Sequence, residues 1–425
     1  MKRNLLFASL ALALLCACTG KTDVPVNESS ISETAVYRSE ASPTGYYATF
    51  CFPDQNYKEV KIQGEWVFSD LGDASVKTST NAGPYEWKNG YVQWNTTRQP
   101  YYDMTLSDGV WRITFPLPSG TYKYKFFADG KECWDPANPP KNRDLNATDL
   151  SGEDRFSAVY VPYDPVRQSL SQDRSLEAPT AAHKGTYHYA EIPSSLSDEV
   201  LRFGVYLPYG FDPKRAEPYP VLVLYHGGGG TEASWINNGL ASIMDNLYEK
   251  RMVAEPFVIL TPNGNRFFRG RREELDQNVL QDILPYAVAH YNATTDPAKR
   301  AFAGLSMGGA TTMFTLLNHP EEFQYYFAMS APTTTDIDLD LFANPVLKQK
   351  NICLAVGMYD FVKVECLLNP NSSQARGGER SFYCYEYAMV DNGVAFKTLP
   401  EYENGHDWVL WRRHIVDYVS RYLWR

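Results

Sequence analysis

One serine stands in a setting that could make it a nucleophile. Residues 304–309 read Gly-Leu-Ser-Met-Gly-Gly and fit the pattern G-x-S-x-G, a sharp turn that lifts a serine hydroxyl above a sheet. The flanking glycines leave room for the strained backbone and for the helix packed behind it. A plausible strand precedes the motif at 300–303 and a helical pattern follows at 310–317. Ser306 is therefore predicted to be the nucleophile of a hydrolase.

A histidine must take the proton of that serine, because a serine hydroxyl alone is a poor nucleophile. In this kind of fold the acid and then the base follow the nucleophile along the chain. His319 lies at a helix end before a proline, and His414 lies inside the last helix. His406 lies in a turn between the last strand and that helix, from which a loop can bring an imidazole over the serine. His406 is therefore predicted to be the base.

The third member of a catalytic triad with Ser306 and His406 would be an acid, which holds the imidazole in one tautomer and stabilises its cation. Asp360 follows the apolar strand 352–356 at its carboxyl end, where parallel sheets place functional residues. The other candidate aspartates lie in an acidic surface-like run, in a turn, or directly beside His406, where adjacent side chains rarely meet in the head-on geometry that the acid and the imidazole require. They are Asp336, Asp338, Asp340, Asp391 and Asp407. Asp360 is the predicted acid.

A glycine-rich loop supplies candidate donors for the negative charge that develops on an ester carbonyl oxygen. Residues 226–230 read His-Gly-Gly-Gly-Gly and follow the first long parallel strand. Backbone without β-carbons can approach the reacting carbon closely. We predict that the amides of Gly228 and Met307 form an oxyanion hole. A nucleotide-binding loop is not supported, because no Gly-Lys-Ser/Thr follows the glycines.

Two patterns of apolar residues predict two domains that must position these groups. In residues 45–163 apolar and polar residues alternate, as expected for an all-β, immunoglobulin-like sandwich. In residues 185–425 short continuous apolar runs, such as 221–225, alternate with helical patterns, as a parallel sheet covered on both faces requires. The C-terminal part is therefore predicted to be α/β. Residues 164–184 show no period and are interpreted as a linker.

The N-terminal residues predict export. A basic start at 1–3 and an apolar run at 5–15 form a signal-peptide pattern, and the following Leu-Cys-Ala-Cys resembles a bacterial lipobox. We expect residues 1–17 to be removed, Cys18 to carry lipid, and residues 18–44 to form a flexible tether. The protein would then be anchored in the cell envelope, at the outer membrane or cell surface. An ordinary secretory peptide is the alternative.

The charge and the cysteine pattern bear on three questions: nucleic-acid binding, metal binding and disulfides. Lys and Arg total 40 against 50 Asp and Glu, and the formal net charge of -10 argues against nucleic acid. The chain has no CxxC or HxxxH pair, so no metal site is predicted. Cys51 with Cys133, and Cys366 with Cys384, could form disulfides, but spacing alone does not decide this.

The region 185–425 resembles the esterase-D-like carbohydrate esterases, which include bacterial feruloyl esterases and acetylxylan esterases. The preceding region resembles the early-set immunoglobulin-like domains of starch- and xylan-acting proteins. On an exported chain, the two together resemble the envelope xylan-degrading enzymes of gut Bacteroidetes. The matching motifs are His226-Gly227 with Gly229-Gly230 and Trp235, Thr261-Pro262-Asn263-Gly264, Gly304 to Gly309, Gly357 with Asp360, and Gly405-His406-Asp407-Trp408.

This resemblance implies an α/β-hydrolase fold and a serine esterase that releases feruloyl (hydroxycinnamoyl) groups from arabinoxylan through an acyl-enzyme. It implies no cofactor, and plant cell-wall xylan, feruloylated or acetylated, as the partner. Acetylxylan esterase, siderophore esterase and non-catalytic glycan-binding lipoprotein are the alternatives, in that order. The segment 366–383 looks longer than a minimal family loop, which leaves the acyl specificity open.

Aromatic residues could bind the substrate at two places. A feruloyl ring needs a flat aromatic-lined slot, whereas an acetyl group needs a tight one. Rings near the site in sequence could line such a slot or could pack beneath the loops: Trp235, Tyr359, Phe361 and Trp408. Rings of the sandwich could form a glycan platform or fill its core: Trp87, Trp94, Tyr101, Tyr102 and Trp134.

Overall fold

The computed structural model describes most of the chain after the expected signal peptide. The described ranges are 28–70, 82–93, 99–141, 155–268, 270–334, 336–362 and 383–425. Cys18, Trp94 and Cys366 lie outside them, as do residues 18–27 of the expected tether. Within these ranges, no helix is both long and apolar enough to cross a membrane.

The N-terminal part is all-β, and its strands form two antiparallel sheets and a short ribbon. The strands are β1 (Ala35–Arg38), β2 (Tyr46–Pro53), β3 (Val60–Gly64), β4 (Phe68–Ser69), β5 (Val92–Gln93), β6 (Tyr101–Asp103), β7 (Thr105–Ser107), β8 (Val110–Pro116), β9 (Gly120–Ala128), β10 (Lys131–Cys133) and β11 (Ser157–Val161). One sheet has the order β1-β2-β8-β7, the other has the order β10-β9-β3-β6 with β11 on β9, and β4 pairs with β5. Alternate side chains of β8 and β9, such as Phe115, Tyr122 and Tyr124, fill the core between the sheets.

Strand β1 corrects one sequence expectation. It lies within residues 18–44, the expected tether, yet it pairs antiparallel with β2, with Ala35 opposite Thr49. The ordered sandwich therefore starts before residue 45, because an added edge strand satisfies the backbone groups of β2. The proposed Cys51–Cys133 disulfide is not formed: the thiol of Cys51 contacts the carbonyl of Ile31, and that of Cys133 contacts the carbonyl of Lys131.

The C-terminal part is α/β, which confirms the predicted fold class. Its strands are β12 (Thr186–Pro193), β13 (Val200–Leu207), β14 (Val221–Tyr225), β15 (Val258–Pro262), β16 (Arg300–Leu305), β17 (Tyr325–Met329), β18 (Asn351–Ala355) and β19 (Lys397–Thr398). Among the described residues they form one sheet of order β12-β13-β15-β14-β16-β17-β18-β19. All pairs from β15 to β19 are parallel.

Helices cover both faces of this sheet. They are α1 (Ser234–Asn237), α2 (Leu240–Glu249), α3 (Arg272–Asn278), α4 (Leu284–Tyr291), α5 (Met307–Asn318), α6 (Tyr383–Asp391) and α7 (Trp408–Arg421), with a π-helical turn at Val279–Ile283 between α3 and α4. The continuous apolar strands pack into a separate core on each face. Strands β14, β16, β17 and β18 therefore end at one edge, where the predicted site residues follow them.

Residues 164–184 are ordered, although their sequence has no period. They contain two short 3-10 turns, Leu170–Gln172 and Ser175–Glu177. Gln168 donates to the carbonyl of Thr44 at 2.7 Å, and Asn246 donates to the carbonyl of Ala178 at 2.7 Å. Polar side chains thus anchor this segment to both domains, a mode of ordering that apolar periodicity does not reveal.

Candidate active site

Ser306 lies in the sharp turn between β16 and α5. Its backbone angles are φ 52° and ψ -119°, a conformation that non-glycine residues rarely adopt. Its N–H donates to the carbonyl of Met329 at 2.9 Å, which holds the turn against the neighbouring strand. A β-carbon on Gly308 would lie 2.4 Å from the carbonyl oxygen of His226, so the close packing behind the serine requires a glycine there.

Three side chains from separate loops meet at this turn. The hydroxyl of Ser306 lies 2.8 Å from Nε2 of His406. The other ring nitrogen, Nδ1, lies 3.0 and 3.2 Å from the two carboxyl oxygens of Asp360. With Nδ1 protonated, the ring donates to Asp360 and leaves Nε2 to accept from the serine, which is the arrangement that activates a hydroxyl.

Asp360 is fully buried, yet it is held as a carboxylate. Burial on its own would raise the pKa of Asp360. The charge and hydrogen bond of His406, the Ser330 hydroxyl and the N–H of Val362 outweigh burial and hold this pKa below its usual value. Ser330 is in turn fixed by the indole N–H of Trp411, which donates to its oxygen at 3.0 Å. A carboxylate in this state stabilises an imidazolium beside it.

Sequence reasoning did not identify Ser330 or Trp411. Ser330 follows β17 at the same sheet edge as Ser306 and Asp360, so its position after a buried apolar strand was an available signal. Trp411 offered only its place in an amphipathic helix, and nothing in that pattern shows which acceptor an indole N–H finds.

The loop carrying His406 is tied to the turn carrying Asp360. The N–H of Met358 donates to the carbonyl of Tyr402 at 2.9 Å, and the N–H of Tyr359 donates to the carbonyl of Asn404 at 3.1 Å. These bonds fix the acid and the base relative to each other through the backbone.

The glycine-rich loop passes next to Ser306. A β-carbon on Gly227 would lie 3.1 Å from that of Ser306, so the loop closes over the nucleophile. Within the described part of the chain, the N–H groups of Gly228 and Met307 donate to no acceptor. Both remain available to an oxyanion beside the serine hydroxyl.

His226 shapes this loop from within. The ring is buried, its Nε2 accepts from the N–H of Gly264 at 3.1 Å, and its Nδ1 lies 2.7 Å from the carbonyl of Gly227. The neighbouring N–H of Gly229 donates to the side chain of Asn265 at 3.0 Å. The loop conformation is therefore set by His226 and Gly264, which sequence reasoning had matched only as parts of family motifs, and by Asn265, which it had not identified.

The aromatic residues near the site divide into two groups. Trp235 and Trp408 are buried and pack edge to face at 5.1 Å, and the indole N–H of Trp235 donates to the carbonyl of Tyr225. This corrects their prediction as slot-lining residues, because large apolar rings gain more from core burial. Phe361 is 47% exposed and its ring lies 4.4 Å from that of His406, while Tyr359 is half-buried.

The rings of the sandwich also divide. Trp87 is buried in the core between the sheets, which is one of the two roles that the sequence left open for it. Tyr102 is half-buried and packs against Phe115 at 5.0 Å. Trp134 is half-buried, and Tyr101, which is 55% exposed, is the open ring among the described members of this set. The described members of this set therefore do not form a continuous aromatic surface.

Asp407, which was set aside as an acid, has a structural role. Its Oδ1 accepts the N–H of Leu410 at 2.9 Å and caps helix α7. Its Oδ2 is buried without a hydrogen-bond partner among the described residues. Burial raises the pKa of Asp407 to about 7, although the Leu410 N–H and the charge of Arg412 act in the opposite direction.

Comparison with known proteins places the α/β part in a family. Residues 194–422 match the model of a family described as "Putative esterase". An endo-1,4-beta-xylanase/feruloyl esterase of Xylanibacter ruminicola is 37% identical over 240 residues, which cover 53% of this chain and 31% of that protein. Endo-1,4-beta-xylanase Y of Acetivibrio thermocellus is 27% identical over 214 residues, which cover 48% and 18%. The chain thus spans less than a third of the length of these relatives.

Among solved structures, the enterobactin esterase of Shigella flexneri matches both parts of the chain. The TM-score is 0.50 at 14% identity, and the match covers 93% of this chain and 96% of that one. At this identity the likeness concerns the fold, and it includes the β-sandwich as well as the α/β part.

Proposed function

The chain belongs to this family of esterases, and from that premise we propose that it releases feruloyl (hydroxycinnamoyl) groups from arabinoxylan through an acyl-enzyme on Ser306. The observation that carries the proposal is the chain of contacts from the Ser306 hydroxyl to His406 at 2.8 Å and from His406 to Asp360 at 3.0 Å. Such a chain serves nucleophilic attack on an acyl carbon.

In the first half-reaction the oxygen of Ser306 attacks the ester carbonyl carbon while Nε2 of His406 takes the hydroxyl proton. The carbonyl electron pair moves to the oxygen, and the N–H groups of Gly228 and Met307 stabilise that charge. Asp360 stabilises the imidazolium. When the carbonyl re-forms, the bond to the sugar oxygen breaks, and His406 gives its proton to that oxygen. The sugar hydroxyl leaves, and the acyl group stays on the serine.

In the second half-reaction a water molecule replaces the sugar. His406 takes a proton from the water as its oxygen attacks the acyl carbon, and the same two amides stabilise the charge. The bond to the Ser306 oxygen then breaks, the serine recovers its proton from His406, and the free acid leaves. The residues end in their starting protonation states, so no co-reactant other than water is consumed.

Two observations support a feruloyl rather than an acetyl substrate. The Xylanibacter ruminicola relative, 37% identical over the matched region, is named as a xylanase and feruloyl esterase. The exposed ring of Phe361 beside His406 offers a flat face to an aromatic acyl group, and ring stacking adds to area burial. An acetyl group would gain little from such a ring.

The decisive experiment compares methyl ferulate with acetylated xylan as substrates of the purified protein. We expect faster turnover of methyl ferulate, and Ser306→Ala should lower that rate by about 10³ or more. Ser107→Ala, at an exposed serine of β7, is the matched control. Undiminished activity of Ser306→Ala would reject the nucleophile. Preference for acetylated xylan would indicate an acetylxylan esterase, and cleavage of an enterobactin-like triester alone would indicate a siderophore esterase. Retention on xylan without hydrolysis would indicate a glycan-binding protein.

We also propose that the mature protein is held in the cell envelope by lipid on Cys18. The support is the run of basic, apolar and small residues before this cysteine. In cells fed a palmitate analogue, the protein should be labelled, Cys18→Ser should lose the label, and Cys16→Ser should keep it. Label on Cys18→Ser, or an unlabelled wild-type protein, would contradict the proposal.

A further inference from the structure

The catalytic histidine is directly joined to a helix. His406 is followed by Asp407, the N-cap of α7, and the helix begins at Trp408. Because a single residue separates the imidazole from the helix, a displacement of the first turns of α7 displaces the ring. Whatever holds these turns therefore contributes to the 2.8 Å contact with Ser306.

A buried ion pair holds α7 one turn after its start. The guanidinium of Arg412 is 1% exposed, and its Nε lies 2.9 Å from Oε2 of Glu177, which is 4% exposed. Glu177 belongs to the ordered segment between the two domains. Its Oε2 also accepts the N–H of Thr121 at 3.1 Å, and Nη2 of Arg412 donates to the Thr121 carbonyl at 3.2 Å. Glu177 thus joins α7 to strand β9 of the sandwich.

The sandwich also contacts the histidine loop itself. The side chain of Asn404, 1% exposed, donates to the carbonyl of Gln93 on β5 at 3.4 Å. Arg413, the neighbour of Arg412 on α7, donates to the side-chain oxygen of Asn404 at 3.2 Å. The N-terminal domain therefore contacts both the loop that carries His406 and the start of α7.

We infer that Glu177 is a positioning residue, which sets the catalytic imidazole by anchoring Arg412 and the start of α7 to the sandwich. The inference rests on the proposed function. Neither Glu177 nor Arg412 contacts the serine or the acid, so the effect passes through the backbone of α7. The N-terminal domain is then a working part of the hydrolytic site, whatever its affinity for glycan.

The test uses p-nitrophenyl acetate, a small ester without sugar, so that glycan binding by the sandwich cannot affect the result. In the full chain, Glu177→Gln should lower kcat by about 10-fold or more without raising KM, because small misplacements of a catalytic group are costly. Glu132→Gln, which breaks the pair with Lys125 on the sandwich surface, is the isosteric control. Tyr206→Phe, which removes a bond to buried Asp245, controls for lost stability. Both controls should keep kcat within about twofold.

A double variant separates positioning from stability. Glu177→Gln leaves the Arg412 guanidinium buried without its carboxylate, and Glu177→Gln with Arg412→Met removes that unpaired charge. We expect the double variant to regain thermal stability while its kcat stays low, because it lacks both the Glu177–Arg412 pair and the bond from Arg412 to Thr121 that join α7 to the sandwich. Recovery of kcat together with stability would overturn the inference.

The remaining outcomes are also decisive. Wild-type kcat in Glu177→Gln, with Ser306→Ala inactive, would overturn the positioning role and leave the proposed function intact. Full activity of Ser306→Ala would instead remove the proposed function. An equal loss of kcat in Tyr206→Phe would show a general effect of stability and overturn the inference. If Glu177→Gln does not fold, Glu177→Asp, which keeps the charge but shortens the reach to Arg412, takes its place with the same expectation.

Discussion

Replacing Asp407 by asparagine should change how the stability of the protein depends on pH. The carboxyl group is 2% exposed, caps α7 through Leu410 and has its second oxygen buried without a partner among the described residues. Burial raises its pKa from 3.8 to about 7, with Asp360 and Glu65 acting in the same direction and Arg412 against. Asparagine keeps the capping oxygen but cannot ionise.

The expected change in the free energy of unfolding follows from the pKa of Asp407 in the unfolded chain and in the folded protein. In the unfolded chain the group ionises near its usual pKa, whereas in the folded protein it resists ionisation up to about pH 7. Its contribution to stability is therefore fully present below about pH 4 and is lost as the pH rises through 7. The shift of about 3 units corresponds to about 4 kcal/mol in total, of which about 3 kcal/mol falls between pH 5 and pH 8.

The assay is urea unfolding of wild type and Asp407→Asn at pH 5 and pH 8, followed by tryptophan fluorescence. Relative to the variant, the wild-type protein should lose about 3 kcal/mol between the two conditions. Asp338→Asn, at an exposed N-cap whose side chain accepts the N–H of Asp340, controls for the same chemical change at a helix start. Parallel pH dependence of wild type and Asp407→Asn would refute the reasoning, because it would mean that the buried carboxyl titrates as it does in the unfolded chain.

Three further changes test the site. Asp360→Asn should lower kcat for methyl ferulate by about 10³ to 10⁴, because the wrong imidazole tautomer would face the serine; a loss below tenfold would contradict this. Gly308→Ala should destabilise the protein by about 1 to 3 kcal/mol in thermal unfolding, because its β-carbon meets the His226 carbonyl; an unchanged melting temperature would argue against that contact. Phe361→Ala should raise KM for methyl ferulate about 3- to 10-fold and affect methyl acetate less; equal effects would exclude selective stacking.

Much of the candidate site was predictable because its signals are local. The glycines around Ser306 predict the sharp turn there, because a backbone with positive φ and a closely packed helix both require small neighbouring residues. Asp360 and His406 were predictable from chain order and from their positions after the last strands. Their distances were not, because two loops 46 residues apart along the chain share no local signal of contact.

The roles of the aromatic rings were not predictable. Trp235, Trp408 and Phe361 all lie close in sequence to site residues, yet only Phe361 is exposed beside His406. An apolar ring in a sequence is compatible with a core, an interdomain contact or a ligand, and the packing of other elements decides among these. The same holds for the segment around Glu177, whose order comes from polar bonds to both domains.

By itself the sequence determined the elements and their chemistry: alternation for the sandwich, continuous apolar runs for the parallel sheet, and glycines for the turn that exposes a serine. These are short-range properties of the backbone, so they can be read from neighbouring residues. Only the tertiary structure decided which groups meet. It brought the imidazole of His406 within hydrogen-bond distance of Ser306, buried the carboxyl group of Asp407, and paired Arg412 with Glu177. These contacts join segments that are distant along the chain, so they depend on how the whole chain packs.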